Sequence, residues 1–187
     1  MRIIAGSLKG RRLKAPTWEG LRPTSDKLRE TLFNILAPRI AGARVFDGYA
    51  GTGAVGLEAI SRGALHVTFV ERDRRAAALI EENLTACRVE GGYTIHCGDA
   101  ATVLSGFGVD AFDLILLDPP YAAPVERALG ASARALVPDG LVVLEHATRQ
   151  EPAAPGSLER VRDVKSGDST LTFYTRKASP GQSLEAR

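Results

Sequence analysis

The chain has 187 residues, 44% of them hydrophobic, and a formal net charge of +2, which suits one well-buried domain rather than a disordered or strongly polyionic chain. It has no apolar run near the roughly 20 residues of a membrane helix, no signal-peptide pattern and no repeat, so a soluble, cytoplasmic protein is expected. Cys87 and Cys97 form no close pair, and three scattered histidines without C-x-x-C spacing offer no metal site, so both thiols are expected to be reduced and buried.

Basic charge is concentrated at the start. Residues 1–44 hold ten Lys or Arg against three acids, and the remainder fourteen against nineteen. Two extended pieces, Arg2-Ile3-Ile4-Ala5 and Arg12-Leu13-Lys14-Ala15, with Gly6 and Gly10 between them, predict a projecting basic β-hairpin within residues 1–21. Its Arg2, Lys9, Arg11, Arg12 and Lys14 can neutralise nucleic-acid phosphates and hold register without reading sequence. The competing reading is a solvated basic face. The segment from Arg22 to Leu36 then predicts a helix, with Thr24 as N-cap and Leu28, Leu32, Ile35 and Leu36 on one apolar face. Arg22, just before the cap, is placed to reach a substrate phosphate or a cofactor carboxylate, or stands as a plain surface arginine.

Arg44-Val45-Phe46 leads as a strand into Asp47-Gly48-Tyr49-Ala50-Gly51-Thr52-Gly53-Ala54-Val55-Gly56, and the residues that follow predict a helix ended by Gly63. Strand, glycine loop and helix in that order let backbone approach a nucleotide. Leu65 to Glu71 predicts the next strand, ending on an acid 24 positions after Asp47, a spacing that suits a carboxylate accepting both hydroxyls of a ribose. Gly51, Gly53 and Gly56 also satisfy the dinucleotide pattern G-x-G-x-x-G. Two features argue against a nicotinamide cofactor: Asp47 puts negative charge where a pyrophosphate lies, and the chain is short for a second, substrate-binding domain. S-adenosylmethionine, with no phosphate and a cationic ammonium and sulfonium, suits the acids better.

Asp73 to Cys87 predicts an amphipathic helix and Tyr93 to Cys97 a third strand, followed by Gly98-Asp99-Ala100. Asp99 is placed to hold an adenine amino group, against the plainer reading of a helix cap. The apolar run Phe112 to Leu117 then predicts a buried parallel strand that stops at Asp118-Pro119-Pro120-Tyr121. Each proline fixes φ and removes an N–H, and Pro120 holds Pro119 extended, so the turn is stiff and leaves carbonyls free as acceptors. A nucleobase amine is a poor nucleophile because its lone pair is delocalised. Accepting its two N–H groups at the Asp118 carboxylate and a Pro-Pro carbonyl favours a pyramidal nitrogen and stabilises the charge that develops during attack on a methyl donor. Tyr121 supplies a face for stacking. The same logic serves guanine N2, adenine N6, cytosine N4 or a glutamine amide, and the basic arm disfavours a protein substrate.

Pro124 to Leu136 predicts a helix, Leu141 to Leu144 a fifth strand, and Leu158–Val164 with Ser169–Thr175 a hairpin turning at Lys165-Ser166-Gly167-Asp168. Glu151 to Gly156 reads as a loop. The pattern specifies an α/β fold: a doubly wound, Rossmann-like sheet, mostly parallel, with a C-terminal antiparallel hairpin. The domain is expected over residues 22–177, after the basic hairpin extension, with 178–187 a disordered tail.

Four blocks carry a family resemblance: Met1-Arg2-Ile3-Ile4-Ala5-Gly6 with Lys9-Gly10-Arg11, Arg22-Pro23-Thr24 through Leu36, Asp47 through Ala64, and Asp118-Pro119-Pro120-Tyr121. From Met1 to about Lys177 the chain resembles the RsmD family of bacterial 16S rRNA guanine-N2 methyltransferases, whose ending is similar to Gly167-Asp168-Ser169-Thr170-Leu171. One departure is Gly48-Tyr49, where members usually carry Leu-Phe, a change placed to loosen the cofactor loop or alter its hydroxyl contacts. The resemblance implies a class I methyltransferase fold and methyl transfer from S-adenosylmethionine to one guanine of 16S rRNA in the 30S subunit or its precursor, by a monomer without metal. It implies a catalytic set of Asp118, Pro119, Pro120 and Tyr121. The cofactor set is Asp47, Tyr49, Ala50, Gly51, Thr52, Gly53, Glu71, Arg72, Asp99 and Ala100, and Arg22 and Thr24 join the arm's basic residues in RNA binding. The rivals are a DNA or protein-glutamine amino-methyltransferase, a nicotinamide oxidoreductase and a non-catalytic RNA-binding assembly factor.

Overall fold

The computed structural model describes residues 1–18, 26–120 and 124–177. In chain order the elements are α1 (Asp26–Ile40), β1 (Arg44–Gly48), α2 (Ala54–Ser61), β2 (His66–Glu71), α3 (Arg74–Ala86), β3 (Tyr93–Cys97), α4 (Ala100–Ser105), β4 (Phe112–Leu117), α5 (Glu126–Ala135), β5 (Leu136–Ala147), β6 (Leu158–Ser166) and β7 (Ser169–Arg176). The strands form one sheet in the order β3-β2-β1-β4-β5-β7-β6. The first five run parallel and β7 pairs antiparallel with both β5 and β6. The chain steps outward from β1 to β3, then resumes at β4 on the other side of β1. A doubly wound sheet with an antiparallel edge results, as the pattern of strands and helices specifies.

Alternation along the strands divides the core in two. Val45, Leu114, Leu116 and Val143 face one side, under α1, α2, α3 and the arm residues Ile3 and Leu13. Phe46, Ile115, Leu117, Val142 and Leu144 face the other, under α4 and α5. Because both faces are covered, β4 is apolar nearly throughout.

The N-terminal arm does not project. Its two pieces meet at one antiparallel bridge, Arg2 with Arg12, and it lies against α2 and α3. Burying Ile3 and Leu13 stabilises this placement by about 1.5–3 kcal/mol each. Fully buried Glu58 of α2 holds the backbone: its carboxylate accepts the N–H of Ile4 (2.8 Å) and Ala5 (3.0 Å), and Arg62 Nε (2.8 Å). Arg29, equally buried, has its Nε 4.0 Å from Glu58 and donates to the Arg2 carbonyl at 2.6 Å. Gly6, at φ +81°, passes so close to α2 that a Cβ would stand 1.8 Å from the Ser61 carbonyl oxygen.

Several boundaries differ from expectation. Helix α1 continues past Leu36 to Ile40, carrying Pro38 in its last turn because Ile40 is drawn into the core. Its buried face joins Arg29 and Phe33 to Leu28, Leu32 and Leu36, and Ile35 is only half-buried. A short helix, α4, follows β3. Strand β5 starts directly after α5 rather than at Leu141, and Pro138-Asp139-Gly140 lies within it as a bulge: Leu136 pairs with Phe112, and the next partners are Leu141 and Leu114. Gly140 allows that crowding, since a Cβ there would lie 2.9 Å from the Asp113 carbonyl. The β6–β7 turn is two residues, with Gly167 at φ +62°, rather than four. Cys87 is buried, but Cys97 is exposed. No helix among the described residues is long and apolar enough to cross a membrane, and no described group of His, Cys, Asp or Glu is arranged to hold a metal. The tail, 178–187, lies outside the described residues.

Glu58→Ala removes the carboxylate that faces the buried Arg29 charge and leaves two arm N–H groups and Arg62 Nε without their acceptor. It is expected to lower the unfolding free energy by about 3–5 kcal/mol in urea denaturation, and a loss under about 1 kcal/mol would show that the docked arm does not depend on it.

Candidate active site

The carboxyl ends of β1 and β4 are adjacent where the strand order reverses, the crevice in which open α/β sheets bind ligands. Asp47 is the penultimate residue of β1 and is buried. Its Oδ2 accepts the Gly56 N–H at 2.8 Å, tying the strand to the first turn of α2 and closing the segment between into a compact loop. Gly56 must be glycine there, because a Cβ would lie 2.1 Å from the Phe69 ring. Gly48 is enclosed too: a Cβ would stand 2.8 Å from Leu117 and 2.9 Å from Phe46. Tyr49 follows at φ +64°, a left-handed conformation uncommon for a side chain of its size. The Gly48-Tyr49 pair therefore sits in a tightly packed corner.

The loop's amides are spent internally. Ala50 N–H donates to Val70 O (3.0 Å), Gly51 N–H to Glu71 Oε2 (2.9 Å) and Gly53 N–H to Ala50 O (2.7 Å). A pyrophosphate site needs such N–H groups aimed outward, and here two meet carboxylates instead. The loop suits a cofactor that brings positive charge and hydroxyl donors, not phosphates. Glu71, at the end of β2, also accepts the Asp73 N–H through Oε1 (2.9 Å). With two lone pairs on each oxygen, it keeps acceptor capacity for a ribose. Thr52 is buried in the loop and Ala50 almost so.

Asp99 caps α4: its Oδ1 accepts the Thr102 N–H (2.9 Å) and hydroxyl (2.8 Å), and these bonds hold its carboxyl below the usual range. Ala100 is buried in the core beneath. Burial and the charge of Asp99 push the Tyr49 hydroxyl up, with Arg72 and Arg127 opposing. The structure brings Asp47 and Glu71 within electrostatic reach of one another, while Asp99 commits one oxygen to the cap of its helix.

The Asp118 N–H lies 3.4 Å from the Gly48 carbonyl, beside the glycine loop. Pro119 is buried and Pro120 exposed. Asp118 lines a cavity with Asp47 and with Glu145, at the end of β5. Asp47 is 3% exposed. Its carboxyl is pushed up to about 7, chiefly by burial, with the Gly56 N–H opposing and the charges of Asp118 and Glu71 adding to the rise. Sequence reasoning missed Glu145, although the signal that marks Asp47, Glu71 and Asp118, an acid directly after an apolar parallel strand, is present in Leu141-Val142-Val143-Leu144-Glu145.

Of the basic residues, Arg2, Lys9 and Arg12 are exposed. Lys14 pairs with Glu82 at 2.8 Å, and half-buried Arg11 is 3.5 Å from the Ala86 carbonyl at the end of α3. Asn83, also missed, is fully buried between arm and loop. Its Oδ1 accepts the Lys14 N–H (2.7 Å), and its amide donates to the carbonyls of Lys14 (3.3 Å) and Thr52 (3.0 Å). Arg22, Thr24 and Tyr121 lie outside the described residues.

Comparison with known proteins agrees with this fold. A family model described as conserved hypothetical protein 95 matches residues 1–175. The chain is 34% identical over 179 residues to ribosomal RNA small subunit methyltransferase D of Haemophilus influenzae, covering 93% of each. It is 33% identical over 186 residues to the protein of that name from Escherichia coli, covering 95% of this chain and 91% of that one. A solved Escherichia coli structure, named as a methyltransferase, superposes with a TM-score of 0.83 at 34% identity, over 96% of this chain and 99% of that one.

Asp47 is neutral below its raised value and anionic above it, while the ammonium of S-adenosylhomocysteine stays protonated through that range. Affinity for this product of the methyl donor is therefore expected to rise between about pH 6 and pH 8. Asp47→Asn is expected to flatten the profile in calorimetric titrations, and an unchanged slope would remove Asp47 from the binding equilibrium.

Proposed function

The chain belongs to the family of ribosomal RNA small subunit methyltransferase D, and we propose that it transfers a methyl group from S-adenosylmethionine to the N2 amine of one guanine in 16S rRNA, within the 30S subunit or its precursor. The observation that carries this reading is the adjacency of two structures of opposite purpose. The Asp118-Pro119-Pro120 turn, which accepts amine protons, is hydrogen-bonded to β1 beside the acid-lined loop that suits a cationic cofactor. When bound, S-adenosylmethionine supplies an electrophilic methyl carbon on its sulfonium.

The protein's own part is to bind, orient and stabilise charge. Glu71 is in position to accept ribose hydroxyls, and the Asp47 carboxylate favours the cofactor's positive charge. Asp118 takes one N–H of the amine and the Pro119 carbonyl the other, which turns the nitrogen lone pair toward the methyl carbon. As the new bond forms, positive charge grows on nitrogen, and Asp118 both stabilises it and stands ready to take the proton. Pro119 and Pro120 keep this corner stiff, so little reorganisation is needed at the moment of reaction. The target base must leave its stack, which costs a few kcal/mol; phosphate contacts from the arm offset part of that cost.

The direct test is labelled methyl transfer to 30S particles, naked rRNA and DNA in parallel, with identification of the modified nucleoside. N2-methylguanine formed on 16S rRNA supports the reading, and methylated adenine, cytosine or glutamine overturns it. Asp118→Ala is expected to slow single turnover by at least about 10²-fold while affinity for S-adenosylhomocysteine stays near wild type; an unchanged rate would exclude the assigned role. Lys9→Ala combined with Arg12→Ala is expected to weaken RNA binding and to lower its salt dependence by about two counterions, and an unaltered slope would place the phosphate contacts elsewhere.

A further inference from the structure

Glu145 is 9% exposed, on β5, the strand next to β4, which Asp118 follows. In the parallel β4–β5 pair Leu117 is opposite Leu144, and the residues after them, Asp118 and Glu145, line one cavity together. Glu145 belongs to two cavity walls. One cavity is lined by Asp47 and Asp118. The other, of about 300 Å³, is lined by Pro119 and Pro120 and also by Glu126, His146 and Glu151. Glu145 therefore borders both the cavity that Asp118 lines and a space of the size in which small ligands are held.

An ionised carboxylate only accepts hydrogen bonds, and it has about four lone-pair sites, so one existing partner does not exhaust it. Guanine's Watson–Crick edge places the N1–H donor directly beside the N2 amine. Adenine presents a bare acceptor nitrogen at N1, which a carboxylate repels. From this geometry we infer that Glu145 is a specificity-determining residue that accepts the N1–H of the target guanine while Asp118 accepts the neighbouring N2–H. The inference rests on the guanine-N2 reading above and adds how the base is chosen. A site built to accept a donor rejects an analogue lacking it far more strongly than an apolar pocket rejects a change of shape.

The test uses 30S particles whose 16S rRNA carries guanine, or 2-aminopurine, at the position that wild-type product analysis identifies. 2-Aminopurine keeps the N2 amine but has an unprotonated N1. Wild-type enzyme is expected to prefer guanine by at least about 10²-fold in kcat/KM. Glu145→Gln, which offers a donor at the same volume, is expected to reduce that ratio by at least about 10-fold. Glu145→Ala is expected to lower it as well, should the Gln variant fold poorly. A purely structural role would depress both substrates alike and leave the ratio unchanged, which would overturn the inference while N2-methylguanine formation by wild type keeps the underlying reading intact. Equal wild-type rates on the two substrates would overturn it without any variant. Failure of wild type to methylate the guanine substrate would sink the underlying reading and this inference with it.

Discussion

The hydrogen bond from the Gly56 N–H to the buried Asp47 carboxylate is the constraint on which the site depends. It joins the end of the central strand to the start of α2 and so sets the path of the loop between them. Gly56 has to approach Phe69 and Asp47 more closely than any side chain allows, and Gly51 and Gly53 take positive φ values that turn the loop back on itself. With the loop set, Glu71 can close on Gly51, and Asp118 can lie beside Gly48. Placing a carboxylate at 3% exposure is costly, and the raised proton affinity of Asp47 records that cost. A cationic ligand relieves it, so the same burial that raises the cost of the charge favours an occupant of positive charge.

The parts of this architecture that were legible in the sequence are those governed by local rules. The run from Phe112 to Leu117 is apolar because both faces of its sheet are covered, and Asp118-Pro119-Pro120 ends it by removing donors. Asp73 and Cys87, the expected ends of a helix, are the N-cap and C-cap residues of α3. The glycine loop and its acids follow the same local logic.

What the sequence concealed depends on partners distant along the chain. Helix α4 is six residues of Ala, Thr, Val, Leu and Ser, too short to display a period. Pro138-Asp139-Gly140 has the composition of a loop, yet the ladder to β4 carries it as a bulge because Leu136 and Leu141 are both buried or nearly so. The docking of the arm was hidden because its anchors, Glu58, Ser61 and Asn83, lie more than 50 positions away and look like ordinary polar helix residues. Glu145 was overlooked although its local pattern matched that of the acids that were recognised.

Asn83 links two segments that a reader of the sequence would treat as separate modules. One amide clasps both backbone groups of Lys14 and the carbonyl of Thr52. An aspartate there would turn a carboxylate toward two carbonyl oxygens, and an alanine would leave three backbone groups without a side-chain partner. Transplanting the arm between relatives is therefore a three-part operation: the donor segment, the residue at position 83 and the glycine loop have to travel together, or the graft arrives without its seat.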